Sequence, residues 1–114
     1  MLTTVAELPE YDRRVEKLLS VYERQDVVSY LAAHPRAGDL IRETGGIRKL
    51  RWARSGRGKS GGVRVIYYFH SERMPLYLLT VFAKNERADL SKAQRNDLAA
   101  LVRILTDSAL RKQR

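Results

Sequence analysis

Between residues 47 and 64 this chain carries Arg48, Lys49, Arg51, Arg54, Arg57, Lys59 and Arg64 and no acidic side chain. Permanently charged guanidinium and ammonium groups at this density have one evident chemistry, which is to bind phosphate oxygens and to stabilise negative charge that builds on them. Lys84 adds a further cation at the end of a later apolar run. The whole chain has the same bias: 22 Lys and Arg against 13 Asp and Glu in 114 residues, a formal charge of +9. A polyanionic partner follows, and nucleic acid is the leading one.

Other chemistries find little footing. With no cysteine and only His34 and His70, there is no disulfide framework and no convincing metal site, and no cofactor is expected. The two histidines could in principle form an acid–base pair, but His34 falls at a helix end before Pro35 and His70 at a strand end, so structural roles are expected of both. No Ser-His-Asp or Cys-His set exists, and no carboxylate pair stands out. The stretch Gly58-Lys59-Ser60 copies the end of a phosphate-binding P-loop. However, Ala53 occupies the place of that motif's first glycine and a strand, not a helix, follows. The glycine-rich segment 54–62 reads instead as a basic flap between two strands.

The elements that must position these cations can be read from periodicity. Residues 2–7 are β-branched and short, a first strand; Pro9 then opens a helix to about Leu19 with Tyr11, Val15 and Leu18 as its apolar stripe. Ser20 and Glu23 have capping-box spacing and start a second helix, striped by Val21, Val28, Leu31 and Ala32 and ending near Pro35. Together these form a helical hairpin over one face of a sheet. After Gly45-Gly46, residues 47–53 alternate Lys49 and Arg51 with Leu50 and Trp52. Residues 63–69 and 77–83 complete a meander, with Arg64, Ile66 and Tyr68 sharing one face and Val65, Tyr67 and Phe69 the other. Ser91 and Gln94 repeat the capping box before a last helix striped by Leu98, Leu101, Val102 and Leu105. The expected order is β, α, α, β, β, β, α: an α+β fold, one domain over residues 1–114, with the N-terminal strand and helical hairpin packed on an antiparallel sheet and a C-terminal helix. No apolar run is long enough for a membrane span and no signal-peptide pattern opens the chain, so a cytoplasmic protein without membrane contact is expected.

In this order Lys49, Arg51, Arg64 and Lys84 converge on one face of the sheet, and a purely structural face would be apolar. The residues from Gly45 to Trp52 (GGIRKLRW), from Gly58 to Phe69 (GKSGGVRVIYYF) and from Leu78 to Glu86 (LLTVFAKNE) resemble the RelE/HigB superfamily of toxins, the HigB-like branch most. The resemblance implies the toxin of a type II toxin–antitoxin system, a ribosome-dependent endoribonuclease that cuts mRNA in the A site and so inhibits translation. In such a reaction the 2′-hydroxyl attacks the neighbouring phosphate. By motif position Lys49 and Arg51 correspond to the family's cationic pair, Arg64 to the arginine that opens the third strand and Lys84 to a basic position at the end of the fourth; Arg64, Lys84, Arg51 and, from the flap, Lys59 are then the expected catalytic cations, and Lys49 with Arg48, Arg54 and Arg57 of the basic stretch the expected contacts to RNA or ribosome. Asn85 and Ser91 stand where RelE has an arginine and a tyrosine, which leaves the general base open. The implied partners are a cognate antitoxin, the ribosome and mRNA, with DNA reached only through the antitoxin. Two rivals remain: a ParE-like inhibitor of gyrase, which shares the fold but against which the cation cluster, Lys84 with Arg64 above all, argues, and a non-catalytic nucleic-acid-binding module that would use the same basic strand and loop for phosphate contacts.

Overall fold

A computed structural model describes residues 2–54 and 62–112. The order is β1 (Val5–Glu7), α1 (Pro9–Leu18), α2 (Val21–Ala33), β2 (Asp39–Leu40), β3 (Ile47–Trp52), β4 (Val63–Tyr68), β5 (Leu76–Ala83) and α3 (Lys92–Arg111). One five-stranded sheet runs β1-β5-β4-β3-β2. From β2 to β5 all pairings are antiparallel, and β1 joins the outer edge of β5 in parallel, Val5 opposite Leu76.

Both helix starts foreseen from capping-box spacing are realised. Glu23 N donates to Ser20 Oγ at 3.1 Å and Ser20 N to Glu23 Oε1 at 3.0 Å; Gln94 N and Ser91 N do the same at 3.1 and 2.9 Å. Pro9 opens α1, where its missing N–H costs nothing. At Gly45 and Gly46 the backbone takes φ of +77° and +113°, so glycine suits the turn that returns β2 into β3.

Two apolar layers sandwich the sheet. On one side Tyr11 and Val15 of α1 and Val27 and Leu31 of α2 meet Leu50, Val65, Tyr67 and Leu78. On the other, Leu90 and Val102, flanked by Leu98, Leu101 and Leu105 of α3, meet Ile47, Ile66, Tyr68 and Phe82. A bulge opposite Ile66 and Tyr67 leaves Leu79 without a ladder partner and turns it to the α3 side beside Thr80. Where α1 covers the edge of β5, Arg14 Nε donates to Val81 O at 2.6 Å and so satisfies an edge carbonyl.

Several expectations need adjusting. The first strand is only Val5–Glu7, and β2, two exposed residues, was not foreseen. Val21 is 81% exposed at the first turn of α2, where the helix has not yet come over the sheet, and Val27 fills the core position instead. The face that carries Lys49, Arg51 and Arg64 is not open: α3 covers much of it, and the cations occupy the end that the helix leaves uncovered.

Candidate phosphate-binding site

The site is built by strand register. Arg51 of β3 lies directly opposite Arg64 of β4, and Arg64 lies opposite Phe82 of β5, so one rung across the sheet reads Arg51, Arg64, Phe82. Alternation puts all three on the α3 side, because Ile47, Ile66 and Phe82 are buried there. Opposed residues in an antiparallel pair have Cβ atoms about 5 Å apart, and like charges so placed repel. No acid pairs with either arginine among the described residues; Arg64 Nη1 donates to Val63 O at 3.3 Å. Two unneutralised guanidinium groups on one rung form a fork that a phosphate would relieve.

Lys84 stands one rung further out. Its N–H donates to Gly62 O at 2.9 Å, which extends the β4–β5 ladder past the strand, and its side chain is exposed. Arg87, which the sequence reading did not single out, closes the far end: its guanidinium lies 5.4 Å from the centre of the Phe82 ring, over its face. Its signal was present in retrospect, since a cation three residues past Lys84 in a tight turn must return towards the strand end.

Lys49 behaves differently from Arg51. It lies one rung inward, opposite Ile66, and its ammonium reaches Asp89 Oδ2 at 3.3 Å with only 19% of the side chain exposed. Burial of Asp89 pushes its carboxyl up, but the Leu90 amide, the Lys49 ammonium and Arg95 together outweigh this and hold it below the ordinary aspartate range. One carboxylate, that of Asp89, pairs with this lysine, and the bridge ties the approach to α3 to the sheet. Glu86 is similar: the Arg14 guanidinium at 2.8 Å holds its carboxyl below the usual value.

The remaining expected residues disperse. Arg48 points to the opposite side of the sheet, where Nη1 clamps Gly38 O at 2.8 Å and Arg36 O at 3.2 Å. Arg54 reaches Leu18 O at 3.5 Å, at the end of α1. Arg57 and Lys59, with the basic flap and the rejected P-loop, lie outside the described residues. His70 follows two residues after the end of β4, roughly 20 Å from Arg64 at ~3.3 Å per residue, with Nδ1 3.0 Å from Ser71 Oγ. His34 caps α2 and packs its ring 5.0 Å from Tyr30. The histidines belong to separate surroundings and do not form a pair. Among the described residues no cluster of His, Asp and Glu could hold a metal ion, and no helix is long and apolar enough to cross a membrane.

This arrangement can grip a phosphate diester and stabilise an extra negative charge on it. It offers no tuned proton acceptor, because both nearby carboxylates are held in salt bridges. The model of a family described as the RelE toxin of the RelE/RelB toxin–antitoxin system matches residues 36–113. Among solved structures, a mutant of the E. coli toxin RelE in the free state superposes with a TM-score of 0.53 at 18% identity, covering 92% of this chain and all of that one. At that identity the likeness is one of fold.

Proposed function

Because the chain belongs to the RelE toxin family of toxin–antitoxin systems, we propose that it is an endoribonuclease that cuts mRNA in the ribosomal A site. The observation that carries this reading is the rung on which Arg51 and Arg64 face each other with no acid between them. A fold gains nothing from such a pair by itself, whereas a phosphorane bearing an additional negative charge gains two charge-assisted donors.

The reaction is a transesterification. The 2′-oxygen attacks the adjacent phosphorus as its proton passes to water, the bond from phosphorus to the 5′-oxygen breaks, and that oxygen takes up a proton from a neighbouring ammonium or from water. The products are a 2′,3′-cyclic phosphate and a 5′-hydroxyl end. Arg64 and Arg51 hold the non-bridging oxygens, and Lys84, one rung outward, adds charge where the departing oxygen leaves the sheet. Arg87, over the Phe82 ring and paired with Glu86 at 3.5 Å, borders the site beyond this rung. Lys59 remains a candidate donor to the leaving oxygen, and Arg54 and Arg57 candidate contacts to the flanking strand.

Arginines cannot serve as the base, and Glu86 and Asp89, held below the ordinary range, are poor ones. A site with charge stabilisation but no strong base depends on substrate geometry. A ribosome that holds the mRNA ready for in-line attack supplies that geometry, with an advantage that can reach several kcal/mol. The partners on this reading are the ribosome, the mRNA and an antitoxin that restrains the toxin.

The test replaces Arg64 by Ala. Cleavage on translating ribosomes should fall by about 10²–10³, the usual cost of removing one preorganised donor, while ribosome binding survives. Loss of binding and cleavage in equal measure would instead identify a nucleic-acid-binding module. Intact mRNA with the wild-type protein would leave gyrase inhibition or a purely binding role in its place.

A further inference from the structure

The cation rung ends at Phe82, and beside Phe82 lies a cavity that the reaction described above does not use. It opens between the N-terminal ends of α1 and α3, holds about 160 Å³, and has Thr80 and Phe82 of β5 in its wall. A void of roughly 150 Å³ accommodates one benzene-sized ring. One strand spacing, ~4.8 Å, separates Arg64 from Phe82, a step that a single nucleotide spans. A phosphate held on the rung therefore has this cavity within reach of a neighbouring base.

The polar groups around the cavity decide what fits. Thr80 is 6% exposed, and its hydroxyl makes no hydrogen bond among the described residues. Glu10 and Asp97 also line the cavity, and neither pairs with a cation among the described residues. Gln94 uses Oε1 to accept from Ser91 N at 2.9 Å, which leaves its NH2 group as a donor. At the mouth the Arg87 guanidinium lies over the Phe82 ring and is tethered to Glu86 at 3.5 Å, a held plane of the kind on which bases stack. The two carboxylates repel a phosphate, and an aliphatic side chain would leave them, Gln94 and Thr80 without partners. A flat ring whose edge carries an amino group beside a ring nitrogen matches all of them: the amine donates to a carboxylate, and the ring nitrogen accepts from Gln94 or Thr80. Uracil fails, because it turns a carbonyl oxygen towards the carboxylate.

We propose that this cavity is a base subsite, which receives the nucleobase on the 3′ side of the cut and selects adenine or cytosine over uracil through Asp97, Gln94 and Thr80. The inference rests on the ribonuclease reading, in which Lys84 of the β5 end attends the departing 5′-oxygen; the nucleotide that carries this oxygen then runs across β5 towards the cavity. Phosphate grip and base choice are thereby divided between two neighbouring sets of side chains, the rung and the cavity wall.

The experiment has two readouts on the full chain. The first is cleavage on translating ribosomes of mRNAs that differ only in the base 3′ of the cut. Wild type should cut before adenine or cytosine about tenfold faster than before uracil, the discrimination expected of one good hydrogen-bonded pair. Asp97→Asn, whose amide can donate to the uracil carbonyl, should bring that ratio below about threefold. Thr80→Val should slow cutting before adenine without lowering Tm, since an unpartnered hydroxyl adds nothing to the fold. The second readout is NMR titration with uncleavable 2′-O-methyl trinucleotides: adenine-containing ones should shift the Gln94 side-chain amide and the Thr80 and Asp97 amides, and all-uracil ones should not. The inference is overturned if wild type cuts without this preference, if Asp97→Asn leaves the preference intact, so that it belongs to the ribosome, or if the cavity signals stay still. Adenine-dependent shifts at the cavity in a chain that never cuts mRNA would uphold the base subsite and remove the ribonuclease reading alone.

Discussion

If Arg51 and Arg64 are kept together for an anion's sake, removing one of them should stabilise the free protein. Arg51→Gln is the cleaner change, since Arg51 is exposed and makes no ion pair among the described residues, whereas Arg64 donates to Val63 O. Taking the ~5 Å spacing of opposed Cβ atoms as the scale of separation, two unit charges repel by ~0.8 kcal/mol at the dielectric of water and by ~3 kcal/mol at the effective value for a surface pair. Side-chain freedom and solvent screening bring the expected gain down to roughly 0.5–1 kcal/mol. In a domain of this size that is a rise in Tm of roughly 2–5 °C. Thermal melts followed by circular dichroism at low salt should show it, and the gain should shrink towards zero near 1 M salt, where the Debye length is ~3 Å. Inorganic phosphate should raise the Tm of the wild type more than that of the variant, because only the wild type has both prongs of the fork. A variant that melts at or below the wild-type temperature in low salt, or a gain that persists unchanged at high salt, would refute the reasoning.

The Lys49–Asp89 bridge should leave a mark on acid stability. The folded pKa of Asp89 is depressed, so its contribution is present above the ordinary aspartate value and is lost as pH falls through the lower folded value. Asp89→Asn should therefore lower stability to denaturant at pH 7, and the difference from wild type should vanish at the acid end of the titration. Gly38→Ala should destabilise by about 1–3 kcal/mol. The added Cβ would lie 2.8 Å from the Tyr67 ring and 3.0 Å from Lys49 O, and it would push apart the 2.8 Å bond from Gly38 N to Tyr67 Oη. Urea unfolding measures this, and an unchanged midpoint would show that the loop simply moves away.

Much of the framework was legible in the chain because it is locally encoded. Capping boxes at Ser20 and Ser91 depend on side chains three residues apart, and the alternation of Ile47 to Trp52 fixes which groups share a face. Alternation also placed Arg48 with Leu50 and Trp52, away from Arg51; counting it among the RNA contacts followed the density of charge instead of its period. What the sequence could not reveal was non-local. Nothing near Val5 encodes its parallel pairing with Leu76, and two residues are too few for β2 to show a period. Lys49 is paired with Asp89, 40 positions away, which no local reading of the basic run detects. Arg87 was overlooked because its place over Phe82 is set by the turn after β5 and not by any strand period.

The central claim is that this cation rung cleaves RNA whose geometry is fixed by the ribosome. It is tested most directly by adding the purified protein to a defined mRNA, with and without actively translating ribosomes, and mapping the 5′ ends of the fragments. The account predicts 5′-hydroxyl ends confined to translated codons and almost no cleavage of free mRNA. Intact mRNA under both conditions, from folded protein free of antitoxin, would contradict it.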